Sequence, residues 1–353
     1  MNKPWQDKLR KITPYVPGEQ SKDPDIVKLN ANENPYPPSP RVQQALRAFH
    51  ADGLRLYPDA NATQLRTALA RHFGLAADQV FLGNGSDDVL ALCFQAFFCA
   101  DKPIFFPDLT YSFYPVWCSL FHIPYRTIPL DDQFRIRPDD YAPANGGVVL
   151  PNPNAPTGIG EGLDFVRRLL DNNPDAIVIV DEAYIDFGGT SALPLLDEYE
   201  NLVIVQTMSK SRSLAGLRVG FALASPALIA VLEAVKNSYN SYTMDSVTLA
   251  AATASVEDDA YFRQTCAQVV RTREQTARAL QALGFTVLPS LTNFLLVTHP
   301  AAPAQALFDA LRARKIFVRY FHLPRIDNHL RITIGTDEEM DRLLAALRDI
   351  LAN

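Results

Sequence analysis

From Val80 to Leu223 the chain alternates short apolar runs with polar loops and helical stretches. The runs are Val80-Phe81-Leu82, Ile104-Phe105-Phe106, Val148-Val149-Leu150, Ile177 to Val180, Leu202 to Val205 and Val219 to Leu223. Each is too short for a helix and too continuously apolar for a half-exposed strand. Each therefore predicts a strand covered on both faces. Helical stretches fall between several of them, including Val89 to Phe98, which is apolar nearly all round, and Asp164 to Leu170. This alternation predicts an α/β fold with a mainly parallel sheet flanked by helices. On such a sheet, ligands bind at the C-terminal edge of the strands.

The flanking regions read differently. Prolines crowd the start (Pro14, Pro17, Pro24, Pro35, Pro37, Pro38, Pro40), which predicts an extended arm. Helices are expected from Arg41 to Phe49 and from Thr63 to Phe73, the latter stopped by Gly74. One long helical pattern spans Val247 to Leu283. Strands at Phe294 to Val297, Ile316 to Arg319 and Leu330 to Ile334 follow, with helices from Pro303 to Ala313 and Asp337 to Leu351. The stripe Met340, Leu343, Leu344, Leu347 and Leu351 predicts a core-facing helix. The expected organisation is an N-terminal arm over 1–40, a large domain over 41–246 and a smaller α+β domain over 247–353 that takes in part of the arm.

Charge and cysteine usage narrow the function. A net charge of −6 with no basic block argues against nucleic-acid and anionic-membrane partners. No stretch approaches the ~20 apolar residues of a membrane span, and the N-terminus lacks the apolar core of a signal peptide. Cys93, Cys99, Cys118 and Cys266 show no CxxC and no metal-ligand spacing, so no metal is expected. Cys93 and Cys99 sit in an apolar stretch that predicts small buried thiols. A soluble, cytoplasmic enzyme of small molecules is expected.

Four features fall at the predicted C-terminal strand edge. Gly85-Ser86-Asp87 opens a helix after a strand, where free backbone N–H groups and the helix dipole suit a phosphate. It is no dinucleotide fingerprint, because Asp88 stands where GxGxxG needs its third glycine. Asn152-Pro153-Asn154-Ala155-Pro156-Thr157-Gly158 forms a turn whose asparagines can reach a ligand. Asp181-Glu182-Ala183-Tyr184 places a carboxylate at the end of a buried strand. Such a carboxylate must find a donor or a cation, and a protonated heterocyclic nitrogen would serve. Lys210 follows the strand Leu202 to Val205, among the hydroxyls of Thr207, Ser209 and Ser211 and ahead of Arg218. An amine desolvated there is a nucleophile toward a carbonyl.

In this order the motifs resemble the fold-type I pyridoxal-phosphate (PLP) enzymes, and within them the histidinol-phosphate aminotransferases. The likeness extends from Thr13-Pro14-Tyr15 and Asn30-Ala31-Asn32-Glu33-Asn34-Pro35, through Arg55-Leu56-Tyr57-Pro58-Asp59, to Leu330-Arg331-Ile332-Thr333-Ile334-Gly335-Thr336. The resemblance implies that Lys210 bonds the PLP aldehyde and later moves a proton, and that Asp181 pairs with the pyridinium N–H. It implies that Tyr184 donates to the ring's O3′ and that Tyr111 covers the ring face. Ser86, Asp87, Thr207, Ser209 and Arg218 would surround the phosphate. Tyr57 would reach the cofactor phosphate of a second subunit, which makes the protein a homodimer. Arg319 and Arg331, with Tyr15 beside them, would take the substrate anion, a phosphate ester in one half-reaction and a dicarboxylate in the other. Many relatives carry a second asparagine where this chain has Ala155, so Asn154 is the expected substitute donor, with Asn152 from a shifted turn as the alternative. The implied reaction is transamination between histidinol phosphate and 2-oxoglutarate. An aromatic amino-acid aminotransferase and a threonine-phosphate decarboxylase remain open as alternatives.

Overall fold

The computed structural model describes residues 3, 5–15, 19, 23 and 25–352. Parts of the predicted arm, Pro17 and Pro24 among them, lie outside these residues. The described arm carries strand β1 (Val27–Lys28), and helices α1 (Pro40–Ala48) and α2 (Thr63–Phe73) follow it. Ser39 caps α1 by accepting from Val42 N, with Pro40 at its first position. Gly74 ends α2 at φ 71°, a left-handed conformation that a residue without a Cβ adopts freely.

A seven-stranded sheet organises the centre. Its strands are β2 (Val80–Gly83), β3 (Ile104–Pro107), β4 (Tyr125–Ile128), β5 (Gly147–Pro151), β6 (Val178–Asp181), β7 (Leu202–Thr207) and β8 (Gly220–Ala224). The spatial order is β2-β8-β7-β6-β5-β3-β4. Strands β3 to β7 pair in parallel, and β8 runs antiparallel to both of its neighbours. Six of the seven strands are buried at every position, as their continuous apolar runs require. Two apolar clusters cover the faces, one with Leu65, Val180 and Ile204, the other with Phe94, Ile179 and Val203. Helices α3 (Ser86–Phe97) and α4 (Tyr114–Phe121) contribute to the second cluster.

A third cluster lies C-terminal to the sheet. It is built on β9 (Thr286–Val287), β10 (Phe294–Thr298), β11 (Ile316–Phe317), β12 (Arg319–Tyr320) and β13 (Leu330–Thr333), with the helix Asp337–Ala352. Strands β12, β13, β10 and β9 form an antiparallel sheet, while β11 pairs with β1 in the arm. Val27 and Leu29 of the arm belong to this cluster, as do Met340, Leu343, Leu344 and Leu347 of the stripe.

Several details differ from the sequence reading. Strand β4 lies at the sheet edge with Tyr125, Arg126 and Thr127 exposed, so it lacks the apolar run that marks the other strands. The single long helix is two, Ser246–Glu257 and Asp259–Ala282, broken at Asp258. The strand expected from Ile316 to Arg319 is divided between β11 and β12, which join different sheets. Cys99 is exposed because it lies just beyond the end of α3, while Cys93 is buried within that helix.

Candidate active site

The C-terminal ends of β5, β6 and β7 open onto one large cleft of about 1680 Å³. Lys210, Tyr184, Tyr111, Asp87 and Arg218 line it from the seven-stranded side. Arg319 and Arg331 line it from the small antiparallel sheet, and Tyr15 lines it from the arm. Residues separated by more than 300 positions in sequence thus meet in one space.

Lys210 is half-buried three residues past β7. Its Nζ donates to Ala31 O at 3.4 Å and lies 5.8 Å from the Tyr184 ring centroid. Asn34 Nδ2 donates to the carbonyls of Lys210 and Ser211 at 3.0 and 3.2 Å. The arm therefore fixes the backbone that carries the amine.

Asp181 and Glu182 are adjacent at the end of β6, and strand alternation sends their side chains in opposite directions. Glu182 accepts from Ser191 Oγ, Ala192 N and Gln206 Nε2. Burial still pushes its carboxyl up to about 7. Among the described residues Asp181 accepts from Tyr114 Oη at 2.8 Å and Ala183 N at 3.2 Å and from no other donor. Burial pushes it up to about 6. Among the described residues no Lys, Arg or His pairs with it. A buried carboxylate with two donors and no cation has room for one more partner, and a cationic one relieves the most energy. Tyr114, which the sequence reading missed, packs edge-on against Tyr111 at 5.7 Å. Its burial within α4 gave no sign of that partner.

At the other edge, α3 begins at Ser86 behind Gly85, and no side chain caps it. Its first N–H groups therefore carry the dipole's positive end toward the cleft at Asp87. Arg218 donates to Asp87 Oδ2 at 3.1 Å and to Ser209 Oγ at 3.3 Å. Thr207 Oγ1 lies 3.0 Å from Ser209 Oγ. Tyr111 Oη donates to Asp87 Oδ1 at 2.6 Å. Two glycines make this cup possible. A Cβ on Gly85 would stand 2.4 Å from Arg218 Nη2, and one on Gly220 would stand 2.3 Å from Ser86 N.

The far end of the cleft holds two arginines in direct register, Arg319 opposite Arg331. Like charges facing each other across strands destabilise a sheet. Among the described residues neither guanidinium has a carboxylate partner. Arg331 Nη2 donates to Asn30 O at 3.1 Å, but its buried Nε has no partner. Desolvation, and then Arg319 nearby, press Arg331 toward losing its charge. Phe294 and Phe321 lie 5.3 and 5.5 Å from its guanidinium carbon. Tyr15 is stacked on Phe113 at 4.3 Å beside this end.

Six expected site residues do not line the cleft: Ser86, Asp181, Thr207 and Ser209, which adjoin it at the strand ends and the start of α3, and Asn154 and Tyr57, which stand apart from it. Asn154 is buried, with Nδ2 donating to Leu109 O and Thr157 Oγ1, and its Oδ1 has no partner. The turn instead presents Ala155 to the cleft, so the geometry offers no asparagine donor there. Tyr57 is 81% exposed and stacks on Tyr242 at 4.5 Å, on the outer surface of the chain. Arg212, two residues after Lys210, is buried over Phe262 at 4.0 Å and donates to Ser255 O.

PLP presents an aldehyde, a ring nitrogen, a phenolic oxygen and a phosphate. The cleft presents the Lys210 amine, the start of an uncapped helix at Asp87 beside Arg218, and an aromatic wall, with the buried Asp181 carboxylate, lacking a cation among the described residues, at the end of the adjoining strand β6. The residues fit the group. A family profile described as aminotransferase class I and II matches residues 24–347. The chain is 54% identical over 354 residues to histidinol-phosphate aminotransferase 2 of Dechloromonas aromatica, covering 99% of each. It superposes on the histidinol-phosphate aminotransferase of Sinorhizobium meliloti, solved in complex with pyridoxal-5′-phosphate. That match has a TM-score of 0.82 and 27% identity, covering 92% of this chain and 90% of that one. The L-threonine-O-3-phosphate decarboxylase of Porphyromonas gingivalis, at TM-score 0.79 and 20% identity over 92% and 99% of the two chains, shares the fold.

Proposed function

The chain belongs to the class I and II aminotransferase family, among the histidinol-phosphate aminotransferases, and on that premise we propose that it transaminates histidinol phosphate with 2-oxoglutarate, using PLP. The observation that carries this reading is the pair Arg319 and Arg331, two facing guanidiniums at the cleft's far end with no carboxylate partner among the described residues. A guanidinium fork accepts carboxylate and phosphate alike. An enzyme that alternates a phosphate ester with a dicarboxylate needs one site that takes both.

When bound, PLP supplies an electron sink for negative charge that develops at the substrate carbon. The chain's own groups do the rest. Arg218, Ser209, Thr207 and the N–H groups of Ser86 and Asp87 would hold the cofactor phosphate. Asp181 would hold the proton on the ring nitrogen, a charge-assisted contact in a site shielded from water. Tyr111 would cover the ring, and Tyr184 Oη would meet its phenolic oxygen. Lys210 Nζ would move the proton released from the substrate carbon, working as general base and then general acid. Arg331 and Arg319 hold the substrate so that this transfer is short, and Tyr15 excludes water at the mouth.

The division into arm 1–40, large domain 41–246 and small domain 247–353 is part of the same reading, with the small domain closing over substrate. So is a homodimer. Tyr57, Tyr239 and Tyr242 are 81%, 76% and 46% exposed, the kind of aromatic surface a second copy would cover. Four unpaired cysteines suit a reducing cytoplasm.

Parallel steady-state assays test the proposal. Histidinol phosphate with 2-oxoglutarate should give glutamate with the highest kcat/KM. Preference for phenylalanine would make the enzyme an aromatic aminotransferase, and CO₂ release from threonine phosphate without an oxo acid would make it a lyase.

A further inference from the structure

Asn32 sits in the arm at φ 54°, buried, and is joined at both ends to residues far away in sequence. Its backbone N donates to Thr333 Oγ1 at 3.0 Å. That hydroxyl, accepting there, gives its own proton to Asn32 Oδ1 at 3.1 Å. With Oδ1 engaged as the acceptor, the amide orientation is fixed, and Nδ2 is the group that meets Tyr184 Oη, at 2.9 Å. An amide N–H only donates. Tyr184 Oη therefore accepts from Asn32, and its own proton is left for the cleft, which both residues line.

Two further observations give this arrangement a purpose. Ala155 faces the same cleft and brings no donor. Thr333 stands two residues from Arg331 on β13, on the same face of the strand, and both are tied to the arm: Thr333 N donates to Leu29 O at 3.0 Å and Arg331 to Asn30 O. Resting on the aminotransferase reading, we propose that Asn32 and Thr333 are positioning residues that aim the Tyr184 hydroxyl at the cofactor's phenolic oxygen, supplying the donor that Ala155 lacks.

A hydrogen bond donated to that oxygen stabilises its negative charge and weakens its hold on the proton at the Lys210 nitrogen. Losing the donor strengthens that hold, so the pH midpoint of the cofactor's visible absorbance, read without substrate, must rise. Asn32→Gly tolerates the left-handed backbone and deletes the amide. Thr333→Val keeps the shape and frees the amide to turn. Both should raise the midpoint, Asn32→Gly about as far as Tyr184→Phe, by roughly half to one pH unit. Ala155→Asn added to Asn32→Gly should return it toward the wild-type value. Midpoints for Asn32→Gly and Thr333→Val equal to wild type, with Tyr184→Phe shifted, overturn the inference alone. If Asn32→Gly does not fold, Thr333→Val decides in the same way. A wild-type protein that takes up no PLP and shows no visible band overturns the aminotransferase reading and this inference together.

Discussion

The two ends of the cleft handle negative charge in opposite ways. At the α3 end, Arg218 is already paired, with Asp87 at 3.1 Å, and that carboxylate is held in turn by Tyr111. At the β12–β13 end, Arg319 and Arg331 face each other, and among the described residues neither is paired with a carboxylate. The first end is balanced internally and is built around backbone, with glycines that let Arg218 and the start of α3 approach closely. The second end stores unrelieved repulsion that an arriving anion removes. A resident cofactor belongs at a balanced end. A substrate that must enter, leave and alternate with another belongs at an unbalanced one.

The largest effect should come from the residue between the ends. Lys210→Ala leaves both anion sites intact, so PLP should still bind through its phosphate while kcat falls roughly 10⁴-fold or more. Appreciable transamination by that variant would remove the lysine from the chemistry. Next is Arg331→Ala, which should lower kcat/KM about 10²-fold for histidinol phosphate and for glutamate alike. Unchanged glutamate kinetics would mean that the two substrates do not share this end.

Gly220→Ala tests the balanced end. Its Cβ would stand 2.3 Å from Gly85 C and Ser86 N, so the start of α3 must move. PLP affinity should fall roughly tenfold, with a smaller change in substrate KM. A larger loss for substrate than for cofactor would reverse the assignment of the two ends.

The smallest effect is on stability of the cofactor-free protein. Asp181 titrates near 6 when folded, against 3.8 ordinarily. Between those values the folded state binds the proton and the unfolded chain does not. This group's contribution is therefore full below about pH 4 and is lost as pH rises through 6. Asp181→Asn should be the more stable apo-protein at pH 8, by about 1–3 kcal/mol, with the gap closing below pH 4. Thermal unfolding at the two pH values checks the sign, and a gap that widens on acidification would contradict it.

What the sequence disclosed follows the same physical division. Six strands were legible because burial on both faces leaves an unbroken apolar run, and β4 was not because its outward side chains are polar. Lys210, Asp181 and the Gly85-Ser86 helix start were legible because chemistry at a strand edge leaves a local mark. The role of Arg331 needed the family likeness, since only the fold sets it opposite Arg319. Asn32 and Tyr114 were silent because their partners lie 301 and 67 positions away. The turn at Asn154 was misread because its amide is spent on Leu109 and Thr157, a choice made by local geometry that composition does not encode.

The most direct measurement is a half-reaction. The PLP-loaded protein is mixed with histidinol phosphate and no acceptor, and its visible absorbance is followed. The band should disappear with one equivalent of oxo product per site, and 2-oxoglutarate alone should then restore it. A band that persists with histidinol phosphate, or CO₂ in place of the oxo product, would contradict the account.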